Sequence, residues 1–177
     1  MAEARKLAID VAYVGVADPG DGVPGTNFTR IPVVEDGSIQ YNSNDPQKTE
    51  FKMYGSDKPW AVFMRAGEAD TLTLNIPSPT MEERKLFMGG TVNGTGDKWE
   101  KPVTTPSIRK TLQIKTKPYD GKQYIYTFVN CDVLGKLTQL SGSDSTEILQ
   151  VQFTILAATT AAGVENSPMY VEMKDAA

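Results

Sequence analysis

The sequence predicts a mainly β fold, an antiparallel β-sandwich or barrel of seven to eight strands with one short α-helix at about residues 79–89. Three observations predict it. Most apolar stretches alternate with a period of two, the spacing of a strand with one buried face. Turn residues separate these stretches at hairpin distances. No strand–helix–strand rhythm appears, so we expect the sheets to be mostly antiparallel.

Composition limits the class of protein. The chain has 177 residues, a formal net charge of −4 and one cysteine, Cys131. This length predicts a single domain over 1–177. The acidic balance argues against nucleic-acid binding as the main function, and a lone cysteine gives no internal disulfide. We read Cys131 as a small buried hydrophobe rather than a reactive thiol.

The chain contains no histidine. This absence excludes Ser-His-Asp and Cys-His nucleophile systems and removes the commonest zinc ligand. We expect no metal and no cofactor, although chemistry that uses carboxylates alone remains possible in principle. The first residues carry charges without the apolar run of a secretory signal, and no stretch approaches the ~20 apolar residues of a membrane span.

The N-terminal region alternates between strand and loop signals. Residues 7–16 predict a strand, whereas 17–30 form a Gly/Pro-rich flexible arm or loop. That loop either stays on the surface or orders against a partner chain. Residues 30–41 predict a short hairpin turning at Asp36–Gly37, and 42–50 a polar loop.

The next two strands are predicted to pair. After a weak strand signal near 51–54, Trp60, Val62 and Met64 alternate along a firmer strand at 60–65. A Gly67–Glu68 turn then leads into 69–76, where leucine and isoleucine alternate with polar residues. This order predicts a hairpin of 60–65 with 69–76.

The helix has two candidate starts. Ser78 before Pro79 is a natural N-cap, and Thr80 with Glu83 offers a slightly shifted capping box. Gly89–Gly90 suits the helix end. On a helical wheel Leu86 lies on the opposite flank from Phe87, so it is either a contact to another subunit or one exposed leucine.

Residues 107–134 give the strongest hairpin signal, with a two-residue Asp120–Gly121 turn. The return strand is apolar on both faces, which predicts a central sandwich strand or one whose outer face meets another subunit. Further strands are expected at 146–157 and 168–173, before a frayed C-terminus around 174–177.

The order of these elements resembles the tail tube (major tail) proteins of long-tailed bacteriophages, which are similar in fold to type VI secretion tube proteins. The resemblance covers roughly residues 48–157. It rests on a Leu-x-Leu-x-Ile-Pro-x-Pro strand at 72–79, the helix, and a Gly-Gly-Thr-Val step at 89–92. Trp-Glu-Lys-Pro at 99–102 and a long two-stranded ribbon follow.

The resemblance implies a structural virion protein rather than an enzyme. Family members stack as hexameric rings, and each subunit adds strands to one continuous β-barrel around a lumen through which DNA passes without specific binding. The implied partners are further copies of the chain and the tape measure, initiator and terminator proteins of the tail. The implied location is the virion tail, with the host cytoplasm during assembly and no membrane.

Several side chains are candidates for a subunit interface. Trp99 is either a plug over the core edge or a contact to a neighbour, where tryptophan is enriched. The full candidate set is Leu86, Trp99, Tyr124, Tyr126 and Phe128. A Leu86→Asp change is expected to spare the monomer fold and impair ring formation.

The ribbon 107–117 is basic and departs from an acidic lumen wall. We expect its cations to face outward or to meet acidic groups on a neighbour, since lumen-facing cations would hold phosphates. These cations are Arg109, Lys110, Lys115 and Lys117.

Other classes remain open. One alternative is a β-sandwich binding module of a phage baseplate or fibre, with an exposed aromatic cluster such as Trp99, Tyr119 and Tyr124. Another is the inner tube protein of a contractile injection system. An enzyme that uses carboxylates alone, such as a glycosidase, would need two acids flanking a cleft, and Glu68 with Asp70 is the close pair near strand ends.

Overall fold

The computed structural model describes residues 7–175 and contains one helix and fourteen strands within that range. The elements are β1 (Val11–Ala17), β2 (Thr29–Arg30), β3 (Gln40–Asn42), β4 (Gln47–Lys52), β5 (Pro59–Arg65), β6 (Thr71–Pro77), α1 (Met81–Met88), β7 (Thr91–Val92), β8 (Trp99–Glu100), β9 (Ile108–Thr116), β10 (Lys122–Gln139), β11 (Ile148–Ile155), β12 (Ala158–Thr159), β13 (Glu165–Asn166) and β14 (Met169–Asp175).

One antiparallel sheet of eight strands dominates the molecule. Its order is β2-β1-β9-β10-β11-β6-β3, and β14 also pairs with β10. The 18-residue strand β10 is the longest strand and lies at the centre of the sheet. Its one edge pairs with β9, whereas its other edge is divided between β14 and β11. The predicted antiparallel, mainly β fold with one short helix is confirmed.

The sheet curls until its two ends are bridged. Ile31 N donates to Val14 O at 2.9 Å on β1, and Glu35 N donates to Asn75 O at 2.9 Å on β6. The segment between β2 and β3 therefore links strands from opposite ends of the sheet order. The enclosed core is aliphatic and aromatic, and its most deeply buried large side chains are Phe87, Phe153, Leu74, Ile76, Leu112 and Leu149.

Helix α1 begins at the second of its two candidate caps. Glu83 N donates to Thr80 Oγ1 at 3.2 Å, and Thr80 N donates to Glu83 Oε2 at 2.7 Å, completing the capping box. Ser78 is not the cap, since its φ of 47° places it in the left-handed region before the helix. Gly89, at φ 74°, ends the helix as predicted.

Helix α1 is fixed to the sheet by packing and by charge. Phe87 is 1% exposed and meets Phe153 edge-on, with ring centroids 6.3 Å apart. Arg84 makes a two-pronged, mostly buried ion pair with Glu147, just before β11. The helix end lies directly on β10, because a Cβ added at Gly135 would stand 2.8 Å from Phe87 O.

The β9–β10 hairpin is confirmed, with Asp120 at φ 50° and Gly121 at φ 72° in its turn. Strand β10 is buried on both faces within the chain itself. Beside it, Thr111 Oγ1 donates to Val129 O at 2.6 Å and accepts from Gly25 N at 2.9 Å. The loop after β1 therefore reaches this outer face, and Ile125 and residues 127–129 are buried without a second subunit.

Two predicted pairings and one predicted loop are wrong. Strands β2 and β3 do not form a hairpin, since β2 pairs with β1 and β3 pairs with β6. Residues 47–50, predicted as loop, belong to β4. Strand β5 pairs with β4 rather than with β6, which lies between β11 and β3. Alternation shows that a segment is a strand but does not identify its partner.

The predicted loose segments carry defined contacts. In the loop predicted at 17–30, Asp21 Oδ1 accepts from Ala161 N at 2.6 Å and Gly22 O accepts from Asn166 Nδ2 at 2.8 Å. At the other end, Lys174 belongs to β14 and pairs with Gln123, so the predicted fraying at 174–175 is corrected by strand pairing. Residues 176–177 of that prediction, and the first six residues, lie outside the described range.

Candidate assembly interface

The strands β4 and β5 form a hairpin that stands apart from the main sheet. They pair with each other from Gln47↔Arg65 to Phe51↔Ala61, and among residues 7–175 neither strand pairs with any other. The loop at the tip turns at Gly55, where φ is 77°. We call residues 47–65 the apolar hairpin.

Most of the apolar hairpin is exposed, on both of its faces. Every residue of β4 is exposed, and in β5 only Ala61 is partly shielded. Large apolar side chains normally leave water on folding, so a contiguous exposed set indicates an interaction surface. Seven such side chains are 47% to 108% exposed here: Phe51, Met53, Tyr54, Trp60, Val62, Phe63 and Met64.

The base of the apolar hairpin is held by one carboxylate. Asp70 Oδ2 accepts from the Tyr41 hydroxyl at 2.5 Å, and Asp70 Oδ1 accepts from Asn44 N at 2.9 Å. The hydrogen bond from Tyr41, followed by that from Asn44, lowers the pKa of Asp70 below its ordinary value. The hydrogen bond from the Tyr41 hydroxyl to Asp70 also raises the pKa of Tyr41. Asn44 Nδ2 also donates to Ala69 O at 2.8 Å.

The apolar hairpin differs in charge from the rest of the chain. Of the chain's 18 basic and 22 acidic residues, four basic and two acidic residues lie in 47–65. The remaining residues therefore carry 14 basic and 20 acidic side chains. A hairpin with a formal charge of +2 thus projects from a body of −6, which favours attraction between the hairpin of one copy and the body of another.

The predicted interface residues are not gathered at one surface. Phe128 is 2% exposed and lies in the core, with its ring 6.0 Å from that of Tyr41, so it has no free surface for a neighbour. Phe128 lies on the face of the sheet that packs against the core. When a strand is apolar on both faces, alternation does not show which face is the inner one. Tyr126 packs against the same core and Tyr124 is half-buried.

Leu86 and Trp99 lie beside the helix. Leu86 is partly buried against the core, so Leu86→Asp would disturb core packing as well as any contact outside the chain. Trp99 is half-buried, and its indole Nε1 donates to Gly89 O at 2.8 Å. This geometry fits the plug interpretation, because the indole closes the chain over the helix end.

Two of the four cations of β9 and its following loop meet acidic groups of the same chain rather than a neighbour. Lys110 Nζ lies 2.6 Å from Asp18 Oδ1, and Lys117 pairs with Asp10. Lys115 Nζ stands 4.9 Å from the centre of the Tyr13 ring, a cation–π contact.

The remaining residues that could carry out chemistry make structural contacts instead. Asp70 of the Glu68–Asp70 pair is engaged at the hairpin base. Cys131 is fully buried, as predicted, and burial raises the pKa of its thiol to about 12. Within residues 7–175, no group of three or more acidic or cysteine side chains is arranged to hold a metal ion.

The sequence did not identify the apolar hairpin as the candidate site. The alternation of β5 predicts a strand but does not show whether either of its faces is covered. The available signal is compositional: four aromatic residues and two methionines occur within fourteen residues, 51–64, next to basic side chains.

No helix within the described range is both long and apolar enough to cross a bilayer. No protein-family model matches the chain, and no curated protein matches it significantly. The interpretation of the apolar hairpin therefore depends on its geometry and chemistry.

Proposed function

We propose that this chain is a structural subunit that assembles with copies of itself into stacked hexameric rings, forming a tail tube through which phage DNA passes. The observation that carries self-assembly is the apolar hairpin, which exposes seven large side chains on two strands and the turn between them, and whose strands pair with no other strand of residues 7–175. A two-stranded hairpin is at best marginally stable alone in water, so burial against another chain would stabilise it.

The distribution of charge supports the role of a conduit. Outside the apolar hairpin the chain is acidic, and Lys110 and Lys117 of the basic ribbon are paired with carboxylates. Paired cations hold phosphates less strongly than free ones, so DNA would slide rather than bind. The ring-and-tube arrangement itself rests on the resemblance to tail tube proteins.

The test is assembly at rising protein concentration, followed by sedimentation velocity and negative-stain microscopy. The wild-type chain is expected to form rings or tubes. Val62→Glu with Phe63→Glu should remain monomeric, because burying two carboxylates in an apolar interface is costly. Val103→Glu with Leu140→Glu, also at exposed apolar positions, is the matched control and should assemble. A wild-type chain that stays monomeric at the highest concentration would overturn the proposal.

A binding module of a baseplate or fibre is the second candidate. It is favoured by the exposure of Tyr54 and Trp60 near the tip of the apolar hairpin, where aromatic rings could contact a surface ligand. This candidate predicts a discrete monomer or trimer rather than rings. The inner tube of a contractile injection system shares the proposed assembly and would differ by binding a sheath on its outer surface.

A further inference from the structure

Strand β14 has an open edge in the main sheet. All seven of its residues pair with β10, from Met169↔Phe128 to Asp175↔Lys122. Within residues 7–175, β14 pairs with no other strand. An edge of this length presents backbone donors and acceptors that a further strand can use.

The surface beside this edge is apolar, and its charged side chains are paired. Val171 and Met173 are 48% and 43% exposed, and they share one face because they are two residues apart. Its two carboxylates, on Glu172 and Asp175, pair with Lys174 and with Lys122 of β10. The strand therefore offers apolar contact to a partner strand, beside charges that are already balanced.

We propose that the apolar hairpin of one copy adds to the open edge of β14 in the next copy, extending the sheet across the subunit boundary. The inference rests on the proposed self-assembly and names its two surfaces. Strands β5 and β14 each have seven residues, so they can pair along their full lengths. Because the two surfaces differ, the contact is head-to-tail, the type that generates rings or filaments.

A second concave surface is less suited to the hairpin. A groove of about 760 Å³ lies between α1, β2 and the loop before β9, with Leu86 and Ile108 on its wall. The edge strand on its wall, β2, has two residues, so among residues 7–175 the groove offers no open strand edge along which the seven residues of β5 can pair.

Cysteine crosslinking tests the proposed contact directly. The native Cys131 is fully buried and will not compete for oxidation. Val62→Cys or Met64→Cys on β5 is mixed with a size-tagged chain carrying Val171→Cys or Met173→Cys on β14. Side chains opposite each other on neighbouring strands are about 5 Å apart at Cβ, within reach of a disulfide in at least one pairing.

The expected result is a mixed-size disulfide dimer that forms under assembly conditions and is lost when the tagged partner instead carries Leu140→Cys, at an exposed position outside both surfaces. Val171→Glu should also abolish assembly, whereas Leu140→Glu should not. Normal assembly without the mixed dimer in any of the four pairings would overturn the β14 contact and leave self-assembly standing. A wild-type chain that fails to assemble would overturn both the β14 contact and the proposed self-assembly.

A chain carrying both Val62→Cys and Val171→Cys distinguishes a fold-back arrangement. If the hairpin reaches β14 of its own chain, the disulfide forms within monomers at any dilution and the mixed dimer is absent. That result would overturn the proposal. An intermolecular disulfide whose yield falls with dilution supports it.

Discussion

At the scale of single residues, close packing and one ion pair together fix the position of α1. Gly135 is the clearest case, because the end of the helix occupies the space that a side chain would need. A strand glycine of this kind marks close backbone approach. The sequence did not predict this contact, since the strand and the helix end meet only in the folded chain.

Gly135→Ala should destabilise the fold by about 1–3 kcal/mol, the usual cost of overpacking. The added Cβ would stand 2.8 Å from Phe87 O and 2.9 Å from Met88 Cγ, so the helix end must shift. Urea unfolding measures the effect. Gly94→Ala is the control, because nothing lies within 4 Å of its added Cβ. Equal stabilities of the two variants would contradict the close approach.

The Arg84–Glu147 ion pair gives a second residue-scale prediction. Glu147→Gln should cost about 3 kcal/mol, because it leaves a mostly buried guanidinium without its counter-charge. Arg84 Nε already has no hydrogen-bond partner among the described residues, so little compensation is available. The exposed Lys98–Glu100 pair is the control, and Glu100→Gln should leave the urea unfolding midpoint nearly unchanged, because solvent screens an exposed pair.

At the scale of elements, the sequence predictions were correct where the interacting residues are close in the sequence and wrong where they are distant. The capping box of α1 and the Asp120–Gly121 turn of β9–β10 depend on residues a few positions apart, and both were predicted. The partners of β6 lie far away along the chain, and here the prediction was wrong. The local turn signal at Gly67 could not reveal that β11 competes for the same edge.

The attachment of the apolar hairpin should depend on pH. Asp70 has a lowered pKa in the folded chain, so its carboxylate contributes stability above its ordinary value of 3.8, and that contribution is lost as pH falls through the lower folded value. The Asn44 amide resonance should titrate in that acidic range, measured by NMR. Asp70→Asn should abolish the titration. An Asn44 amide unaffected by acid would contradict the role of the Asp70 carboxylate in holding the base of the apolar hairpin.

At the scale of the whole molecule, the hairpin and the body are separable. No member of the buried core lies between residues 42 and 71. The residues just before and just after the apolar hairpin are also in contact, because a Cβ at Gly67 would stand 2.3 Å from Asp45 O. The eight-strand sheet was predictable as a class from alternation, whereas the exposure of β4 and β5 was not, since alternation does not state what covers a face.

Replacing residues 47–65 with a two-glycine linker should leave the body folded. The free energy of unfolding should change by no more than about 1 kcal/mol, because the deletion removes surface residues alone. Assembly should be lost with the apolar side chains. Urea unfolding and sedimentation velocity measure the two effects. A shortened chain that still forms rings would show that assembly uses another surface.

The placement of β1 and β14 has a topological consequence. Val11 lies opposite Thr116 on β9, and Met173 lies opposite Tyr124 on β10, so β1 and β14 flank the β9–β10 hairpin on its two sides. Three strand spacings separate Val11 from Met173, about 14 Å. A linker of a few residues can span that distance, and the exposed loop at 141–145 is a suitable place to reopen the chain. The sheet is therefore a natural scaffold for circular permutation, with new ends placed where the loop between β10 and β11 now runs.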